Sequence, residues 1–494
     1  MSHANRAATV LAFDLGATSG RAILGRVDRG NLEFREVHRF PNDAVMCGGE
    51  LHWDILRLWH EVQAGLRQAG GIALDSIGVD TWGVDYALLG ESGSLLGNPF
   101  HYRDQRTKGS MERACSAVGS DRIYDSTGIQ FMPFNTLFQV YADAARTPGL
   151  FSLAKTLLTI PDLLNYWLTG SVGCEYTNAT TTQFLDRRTK SWALDLLRDL
   201  GVPTHLLAPV VQPGTIIGSL RRELIHGEEH KLTVVAAPAC HDTGSAVAAV
   251  LARGATAFLS SGTWSLLGTE VDEAVVSSES RRLNFTNEGG VAGTFRLLKN
   301  ITGLWLLEGC LKSWQVSGEK YSYATLLDMA KAAKPLQSFV DPDDSLFVAP
   351  DDMPRAIDEY CRKTEQPVPQ THGAYTRVVL ESLALKYRYV LEQLGALTAV
   401  QFRNIRVIGG GCRNALLNQF TADATGCQVL AGPAEATALG NMAMQLVAID
   451  AVGSIGEARE LIERSFPYRT YEPADTSCWD RAFAQFTARL NSTV

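Results

Sequence analysis

The 494-residue sequence contains no apolar segment long enough to cross a membrane, no excess of positive charge and no CxxC pair among its cysteines. A membrane-spanning helix needs about 20 consecutive apolar residues, whereas the N-terminal run of residues 7–13 ends at Asp14. That run is also too short, and too little positive charge precedes it, for a secretory signal. The nine cysteines are scattered, which favours a reducing compartment over a disulfide framework. We therefore expect a cytoplasmic protein.

Basic residues number 45 against 53 acidic ones, for a net charge of −8. This balance argues against a large basic face for nucleic acid. Two common nucleotide-binding motifs, GxxxxGK(S/T) of the P-loop and GxGxxG of the dinucleotide-binding fold, are also absent. A nucleotide site in this chain would have to be built from other glycine-containing turns.

The content of 46% hydrophobic and 20% charged residues is ordinary for a globular protein, and the length predicts two α/β domains. Residues 10–27 form two β-prone runs around a Gly-rich turn, which is typical of a hairpin. Residues 31–40 extend the hairpin to a three-stranded antiparallel meander, and residues 53–69 have the apolar period of a helix. A buried strand is predicted next, within residues 77–85.

The same pattern returns in the second half of the chain. Residues 255–268 are again strand, small-residue turn and strand, and residues 405–408 form a strand that leads into three glycines and a helix. We interpret this recurrence as the duplication of one α/β unit. It divides the chain into two domains, residues 1–244 and residues 245–494.

Three glycine-containing turns are candidates for a nucleotide site. Small residues in Asp14-Leu-Gly-Ala-Thr-Ser-Gly20 let backbone N–H groups approach an anion, and Asp14 can hold Mg²⁺ through water. Ser260-Ser-Gly-Thr-Trp-Ser265 is a second such turn, and two turns facing each other would clamp an oligophosphate. Gly409-Gly-Gly411 precedes a helix N-terminus, which favours negative charge. Each turn, taken alone, is also compatible with a purely structural hairpin or strand-to-helix turn.

Asp242 is the candidate general base. It lies in Cys240-His-Asp-Thr-Gly-Ser245, after an apolar strand and just before a predicted helix. A carboxylate in this setting can accept the proton of a hydroxyl nucleophile. The alternative is that Asp242 caps the helix and has no chemical role.

At these places together the chain resembles the FGGY family of carbohydrate kinases. The resemblance runs over essentially the whole chain and is carried by long segments in the right order. These segments are Asp80-Thr-Trp-Gly-Val-Asp85, Tyr102-Arg-Asp-Gln-Arg-Thr107, Gly128-Ile-Gln-Phe-Met-Pro-Phe-Asn-Thr136, Glu175-Tyr-Thr-Asn-Ala-Thr-Thr-Thr-Gln183, Leu259-Ser-Ser-Gly-Thr-Trp-Ser265, Asn287-Glu-Gly-Gly290 and Leu298-Lys-Asn-Ile-Thr-Gly-Leu-Trp-Leu-Leu307.

The resemblance implies an α/β, two-domain actin-like ATPase fold (ribonuclease H-like) with an interdomain cleft, and ATP and Mg²⁺ as cofactors. It also implies roles for individual residues. Those implied to bind ATP are Ala17, Thr18, Ser19, Gly20, Arg21, Thr263 and Gly410. Those implied to bind the sugar are Gly83, His241, Asp242, Thr243 and Asn300, with Asp242 as the proton acceptor. Asp14 matches the metal-associated aspartate of the family.

The activity implied is ATP-dependent phosphorylation of L-rhamnulose at its C1 hydroxyl, by a monomer or homodimer without nucleic-acid or membrane partners. Two alternatives stay open: a kinase for another ketose such as L-fuculose or L-xylulose, and an actin- or chaperone-like ATPase acting on a protein. One position departs from the family pattern, because Glu308 stands where a glutamine near the nucleotide is expected. We interpret Glu308 as a solvated helix position.

Overall fold

The computed structural model describes residues 7–225, 230, 232–348, 350–474 and 476–492. These residues fall into two compact units, each assembled from several segments of the chain. Unit 1 comprises the chain up to Leu251 together with Val271–Leu297 and Ala436–Phe466. Unit 2 comprises Ala252–Glu270, Leu298–Glu435 and the chain from Pro467 onward.

Strands and helices alternate along most of the described chain. The strands are β1 (Ala8–Leu15), β2 (Ser19–Asp28), β3 (Asn31–Pro41), β4 (Ala44–Cys47), β5 (Glu50–Trp53), β6 (Ser76–Thr81), β7 (Tyr86–Leu89), β8 (Thr156–Thr159), β9 (Cys174–Glu175), β10 (Leu185–Asp186), β11 (Ser191–Trp192), β12 (Val210–Val211), β13 (Ile216–Ser219), β14 (Val234–Ala236), β15 (Thr256–Ser261), β16 (Trp264–Val271), β17 (Thr286–Gly289), β18 (Phe295–Thr302), β19 (Asn404–Ile408), β20 (Gln428–Ala431) and β21 (Arg469–Tyr471). The helices are α1 (Ile55–Gln68), α2 (Ser110–Val118), α3 (Ser120–Thr127), α4 (Thr136–Arg146), α5 (Pro148–Leu153), α6 (Ile160–Thr169), α7 (Tyr176–Thr181), α8 (Leu194–Asp199), α9 (Asp242–Ala248), α10 (Ser278–Arg282), α11 (Trp305–Val316), α12 (Tyr323–Ala332), α13 (Met353–Lys363), α14 (His372–Thr398), α15 (Ala415–Thr425), α16 (Ala436–Ala448), α17 (Ile455–Ser465) and α18 (Ser477–Ser492).

The sheet of unit 1 has six strands in the order β13-β14-β6-β1-β2-β3. β1 pairs antiparallel with β2 and parallel with β6, and β2 pairs antiparallel with β3, so the predicted meander is confirmed. β1 is almost completely buried, because helices cover both faces of the sheet here. Gly65 of α1 lies against the Phe13 ring, and Met442 of α16 lies against Gly25 on the opposite face. Burial on both faces explains why the sequence of β1 is a continuous apolar run.

The second sheet has seven strands in the order β17-β18-β16-β15-β19-β20-β21. β15 pairs antiparallel with β16 and parallel with β19, β19 pairs parallel with β20, and β20 pairs antiparallel with β21. The first sheet has the same series of pairings from β2 through β1, β6 and β14 to β13. The recurrence predicted from the sequence is thus confirmed in the strand pairings, while duplication as its origin stays a prediction.

Two further features bear on the expectations from composition. In the part of the chain that the structure describes, no helix combines the length and apolar content that a membrane span requires. All nine cysteines are free thiols.

Small residues let α16 pack closely within unit 1. Gly440 lies so near α9 that a Cβ there would meet the Ser245 carbonyl oxygen at 1.7 Å. One helical turn apart, Asn441 and Gln445 lie against Gly78 of β6. α16 thus brings amide side chains to the central strands, next to the residues described below.

We expect Gly440→Ala to lower the free energy of unfolding by about 1 to 3 kcal/mol, because the added methyl group forces α16 away from α9. Gly149→Ala is the matched control, since Gly149 lies in α5 and no described atom lies within 4 Å of a Cβ there. This control should be neutral or slightly stabilising, because alanine is the better helix former. Urea unfolding measures both variants, and equal stabilities would contradict the close packing of α16 on α9.

Candidate active site

A buried asparagine fixes the turn between β1 and β2. Gly16 N donates to the Ser19 carbonyl at 2.9 Å, and Asn42 Nδ2 donates to the Gly16 carbonyl at 2.8 Å. Asn42 N also donates to the Thr18 carbonyl at 3.0 Å. The turn that carries Ala17 and Thr18 is therefore rigid, and the Thr18 side chain is exposed. A fixed turn of this kind can present backbone N–H groups to a phosphate.

Two aspartates lie side by side where β1 and β6 end, because Asp14 and Asp80 are in register. The Asp14 carboxylate accepts a hydrogen bond from the Arg21 guanidinium of β2. Asp80 is completely buried: its Oδ2 accepts from Asn441 Nδ2 at 2.5 Å, and its Oδ1 has no hydrogen-bond partner among the described residues. Burial and, after it, the Asp14 carboxylate raise the pKa of Asp80 well above its usual value. Without a cation nearby, a charge on Asp80 is therefore disfavoured by its burial and by the charge of Asp14.

The same two aspartates fit a divalent cation that arrives with a nucleotide. Magnesium in phosphoryl-transfer sites is held by one or two carboxylates, with water and phosphate oxygens completing its coordination. Asp14 and the unpartnered Oδ1 of Asp80 supply such carboxylate oxygens. Within the described ranges, no group of three or more His, Cys, Asp or Glu side chains could hold a metal ion. A metal held by protein side chains alone therefore does not fit this site.

The loop between β14 and α9 is held in place by β6 and by one buried glutamate. The backbone of His241 pairs with Thr81, and Thr81 N donates to the Cys240 carbonyl at 2.9 Å. Glu175 Oε2 accepts from Cys240 N at 2.9 Å and from Thr177 Oγ1 at 2.6 Å. The same Thr177 oxygen accepts from His241 N at 3.3 Å. Burial raises the pKa of Glu175 to about 7 in spite of these donors.

Asp242 is the first residue of α9, and His241 occupies the capping position before it. Asp242 Oδ1 accepts hydrogen bonds from the backbone N–H of Thr243 and, at 3.1 Å, from its hydroxyl group. It also lies 3.4 Å from His241 Nε2, and 33% of the Asp242 side chain is exposed. No hydrogen bond or ion pair joins Oδ2 to a described residue, so this oxygen can accept a proton from a hydroxyl group. The alternative of Asp242 as the helix cap does not fit this geometry.

Gly83 lies two residues beyond the end of β6 and so follows Thr81, the partner of His241. A Cβ on Gly83 would meet Thr181 Oγ1 at 2.8 Å. The loop beyond it is held by Asp85, which accepts from the indole N–H groups of Trp53 at 2.6 Å and Trp82 at 2.9 Å. Burial raises the pKa of Asp85 to about 6. Asp85 and the two tryptophans therefore have a structural role that keeps Gly83 in place.

In unit 2, the turn between β15 and β16 carries Thr263. Its carbonyl accepts from Gly303 N at 3.1 Å, and its hydroxyl donates to the two oxygens of Glu308 at 3.0 and 3.2 Å. Glu308 lies in the first turn of α11, where the helix dipole favours a negative charge. Its side chain is exposed, as a solvated helix position requires, but the bond to Thr263 was not predicted from the sequence.

The three glycines after β19 form a turn that is tight on one side and open on the other. Gly409 has a φ of +78° and precedes a 3-10 turn of Gly410–Arg413. A Cβ on Gly411 would meet Ser261 Oγ at 2.0 Å, whereas a Cβ on Gly410 would have no described atom within 4 Å. Gly410 thus offers an open surface against which a flat ligand can lie. Asn300 is half-buried on β18.

The structure distributes the predicted residues over both units. In unit 1 the carboxyl ends of β1 and β6 and the loop after β14 carry Asp14, the turn of residues 17–21, Gly83, and His241 to Thr243. Unit 2 carries Thr263, Asn300 and Gly410. The individual roles assigned to these residues stay predictions.

Several residues that hold this site were not predicted from the sequence, namely Asn42, Glu175 and Asn441. The signal for Asn441 was present, because Asn441 and Gln445 are amides four residues apart in a mostly apolar helix. Buried polar side chains need hydrogen-bond partners, so this pair indicates a polar contact across the sheet. Their partners, Asp80 and the Leu11 carbonyl, are more than 350 positions away and could not be named from the sequence.

Sequence profiles of the FGGY family of carbohydrate kinases match the chain in two parts, the N-terminal domain over residues 9–249 and the C-terminal domain over residues 257–449. The rhamnulokinase of Bacteroides thetaiotaomicron is 46% identical over 96% of this chain and 98% of its own length. The rhamnulokinase of Pectobacterium atrosepticum is 42% identical over 97% of this chain and 96% of its own. The rhamnulokinase of Oceanobacillus iheyensis is 41% identical over 93% of this chain and 97% of its own length.

Solved structures give an independent comparison of the fold. Gluconate kinase from Lactobacillus acidophilus matches 99% of this chain and 98% of its own, with a TM-score of 0.80 and 16% identity. Plasmodium falciparum glycerol kinase, solved with ADP, matches 99% of this chain and 98% of its own, with a TM-score of 0.79 and 14% identity. The predicted two-domain, actin-like α/β fold is thereby confirmed.

The bond between Asn441 and Asp80 generates a test of the buried carboxyl pair. Asn441→Asp keeps the shape but places a second carboxyl group against Asp80, whose pKa is already raised. A group with a raised pKa stabilises the fold at low pH and loses that contribution as the pH rises, so the cost should grow from pH 5 to pH 8. We expect a cost of about 1 to 3 kcal/mol at pH 8.

Urea unfolding at both pH values measures this cost. Asn98→Asp, at an exposed position, is the matched control and should change little at either pH. A cost in Asn441→Asp that does not depend on pH would contradict the contact.

Proposed function

We propose that this chain, which belongs to the FGGY family of carbohydrate kinases, transfers the γ-phosphoryl group of ATP to the C1 hydroxyl of L-rhamnulose. The products are L-rhamnulose 1-phosphate and ADP, in the degradation of L-rhamnose. The observation that carries the proposal is the 41 to 46% identity, over at least 93% of the chain, to proteins named rhamnulokinase.

Asp242 is the proposed proton acceptor. Thr243 holds Oδ1 of this carboxylate, which leaves Oδ2 to take the C1 hydroxyl proton as that oxygen attacks the γ-phosphorus in line. Gly83, His241, Thr243 and Asn300 bind the sugar and orient its hydroxyl group. Positioning of this kind supplies much of the rate enhancement in phosphoryl transfer, where little covalent chemistry falls to the protein.

ATP is bound by backbone N–H groups, by hydroxyl groups and by the open surface of a glycine. The turn of residues 17–21 and Thr263 bind the phosphates, and Gly410 packs beside the nucleotide. Mg²⁺ is the proposed metal, with Asp14 and Asp80 as its carboxylate donors, and when bound it neutralises phosphate charge. The guanidinium of Arg21 lies on Asp14 and holds this carboxylate at the strand end.

We also propose that the two domains predicted from the sequence carry different parts of the site. The N-terminal domain, residues 1–244, holds the sugar pocket and the first phosphate hairpin, and the C-terminal domain, residues 245–494, holds the second hairpin and the adenosine site. Of the second domain, Val271–Leu297 and Ala436–Phe466 fold with unit 1. The net charge of −8 supports small-molecule partners rather than nucleic acid. Free thiols support a cytoplasmic enzyme, which we propose acts as a monomer or homodimer.

Coupled measurement of ADP release over a panel of ketoses tests the proposed activity. L-rhamnulose should give the highest kcat/KM, above L-fuculose and L-xylulose, and turnover without sugar should be negligible. Neither alternative is favoured by the relatives. A higher kcat/KM with another ketose would establish the first alternative, and sugar-independent turnover stimulated by peptide would establish an actin- or chaperone-like ATPase.

Replacement of the proposed base has a defined consequence. Asp242→Asn keeps the shape but cannot accept a proton, so kcat should fall about 10²- to 10⁴-fold. Sugar binding measured by calorimetry should fall much less, because the amide still hydrogen-bonds a hydroxyl group. Asp195→Asn, whose side chain is 93% exposed, is the matched control and should keep wild-type kcat. Retention of more than about a tenth of kcat in folded Asp242→Asn would refute the base assignment.

The second hairpin is tested through its hydroxyl group. Thr263→Val should lower kcat/KM for ATP by about 10- to 100-fold, as expected for the loss of one hydrogen bond to a charged group. The loss can come from a higher KM for ATP or from a lower kcat. The Thr263 hydroxyl has one proton, which it donates to Glu308 in this structure, so a phosphate has to replace Glu308 as its acceptor. Glu308→Gln is the companion variant: it replaces the carboxylate by an uncharged acceptor, so the KM for ATP should be equal or lower. Sugar affinity should be nearly unchanged in both. Unchanged ATP kinetics in folded Thr263→Val would count against this phosphate contact.

A further inference from the structure

A buried arginine and a buried glutamate lie beside His241, and the mechanism described above uses neither. Arg296 on β18 is completely buried, and Glu288 on β17 is 6% exposed. Arg296 Nη2 lies 3.1 Å from Glu288 Oε2 and 3.2 Å from His241 Nδ1. Glu288 Oε2 lies 3.2 Å from the same imidazole nitrogen. Four groups, from Arg296 to Asp242, therefore lie in a continuous series of contacts through the imidazole ring.

The directions of these contacts differ. The contact between the Arg296 N–H group and His241 Nδ1 has the geometry of a hydrogen bond. Glu288 Oε2 is close to both groups but is not aligned for a hydrogen bond with any described group. Arg296 Nε also donates to the Gly289 carbonyl at 3.0 Å, which fixes the plane of the guanidinium group. A guanidinium group can only donate. His241 Nδ1 can accept this bond only in the form of the ring that has no proton on this nitrogen, whereas a proton on Nδ1 would face Glu288 Oε2 at 3.2 Å.

We propose that Arg296 is a positioning residue that selects the tautomer of His241, with the ring proton on Nε2. Nε2 is the nitrogen that lies 3.4 Å from Asp242 Oδ1. Its N–H then faces the carboxylate that takes the substrate proton and helps to hold Oδ1. In the opposite tautomer a nitrogen lone pair would face the same oxygen, and two acceptors would repel each other. The inference rests on the proposed function only in that Asp242 acts as the base.

The Glu288 carboxylate offsets the charge of Arg296, so that the guanidinium group can be buried beside His241. An unpaired guanidinium group in the interior is costly, and a nearby carboxylate offsets that cost. Burial alone would raise the pKa of Glu288, but the Arg296 guanidinium lowers it below its usual value. The charged carboxylate and the guanidinium together add no net charge beside Asp242. His241 thus receives a directed hydrogen bond without a net positive field.

The test combines kinetics with ¹⁵N NMR of the histidine rings in the full-length protein. In the wild type, the His241 signals, assigned by their loss in His241→Gln, should show the proton on Nε2. The double variant Glu288→Met/Arg296→Met removes both charges at once, so neither is left buried and unpaired, and methionine fills the space. We expect it to fold, to lose about 10- to 100-fold in kcat with much smaller changes in both KM values, and to give a mixture of His241 tautomers.

A second arginine–glutamate pair provides the matched control. Arg377 and Glu381 form a mostly buried ion pair on α14 of unit 2, with Nε 2.6 Å from Oε1. Glu381→Met/Arg377→Met should leave the His241 signals and the kcat of the folded protein unchanged. An equal loss of kcat in this control would overturn the assignment to the neighbours of His241.

Two results would overturn the proposal directly. One is a wild-type protein with the His241 proton on Nδ1, a measurement that needs no variant and no activity. The other is a folded Glu288→Met/Arg296→Met protein with wild-type kcat. Absence of L-rhamnulose-dependent turnover in the wild type would instead contradict the proposed function and leave the tautomer measurement standing.

Discussion

Burial of carboxyl groups without cationic partners is the constraint around which the candidate site is built. Asp80, Asp85, Asp162 and Glu175 are all buried, and within the described residues neutral N–H and O–H donors hold each of them in place of an ion pair. Burial raises the pKa of Asp85 and Asp162 to about 6 and that of Glu175 to about 7. Burial thus makes a charge on each of these carboxyl groups costlier than in water. Asp242, a third exposed, is the carboxylate of this region that can meet a substrate.

The same constraint explains the supporting residues. Each buried oxygen needs a donor, and the donors come from distant parts of the chain: Asn441 from α16, the indoles of Trp53 and Trp82, and the backbone N–H of Cys240. The bond from Cys240 N fixes the loop before α9 on Glu175, and Thr81 N of β6 donates to the Cys240 carbonyl of the same loop. The geometry of the proposed base therefore depends on residues that never contact a substrate.

Local patterns in the sequence predicted the elements well. The meander of residues 8–41, α1 and the second hairpin follow from alternation, helical period and glycine turns, which are properties of neighbouring residues. Long-range polar contacts could not be predicted in the same way. Arg296 stands between the apolar Phe295 and Leu297 of β18, and its separation of 55 positions from His241 does not indicate a contact. The exposure of Glu308 agrees with its interpretation as a solvated helix position, but its hydrogen bond with the Thr263 hydroxyl could not be predicted from the sequence.

The most direct test of the central claim, that the chain phosphorylates L-rhamnulose at C1, is the identity of the product. The full-length protein would be incubated with ATP, Mg²⁺ and L-rhamnulose labelled with ¹³C at C1, and the sugar examined by ¹³C NMR. A kinase acting as proposed splits the C1 resonance through coupling to phosphorus, in proportion to the ADP formed. An unsplit C1 resonance while ADP accumulates would contradict the proposed reaction.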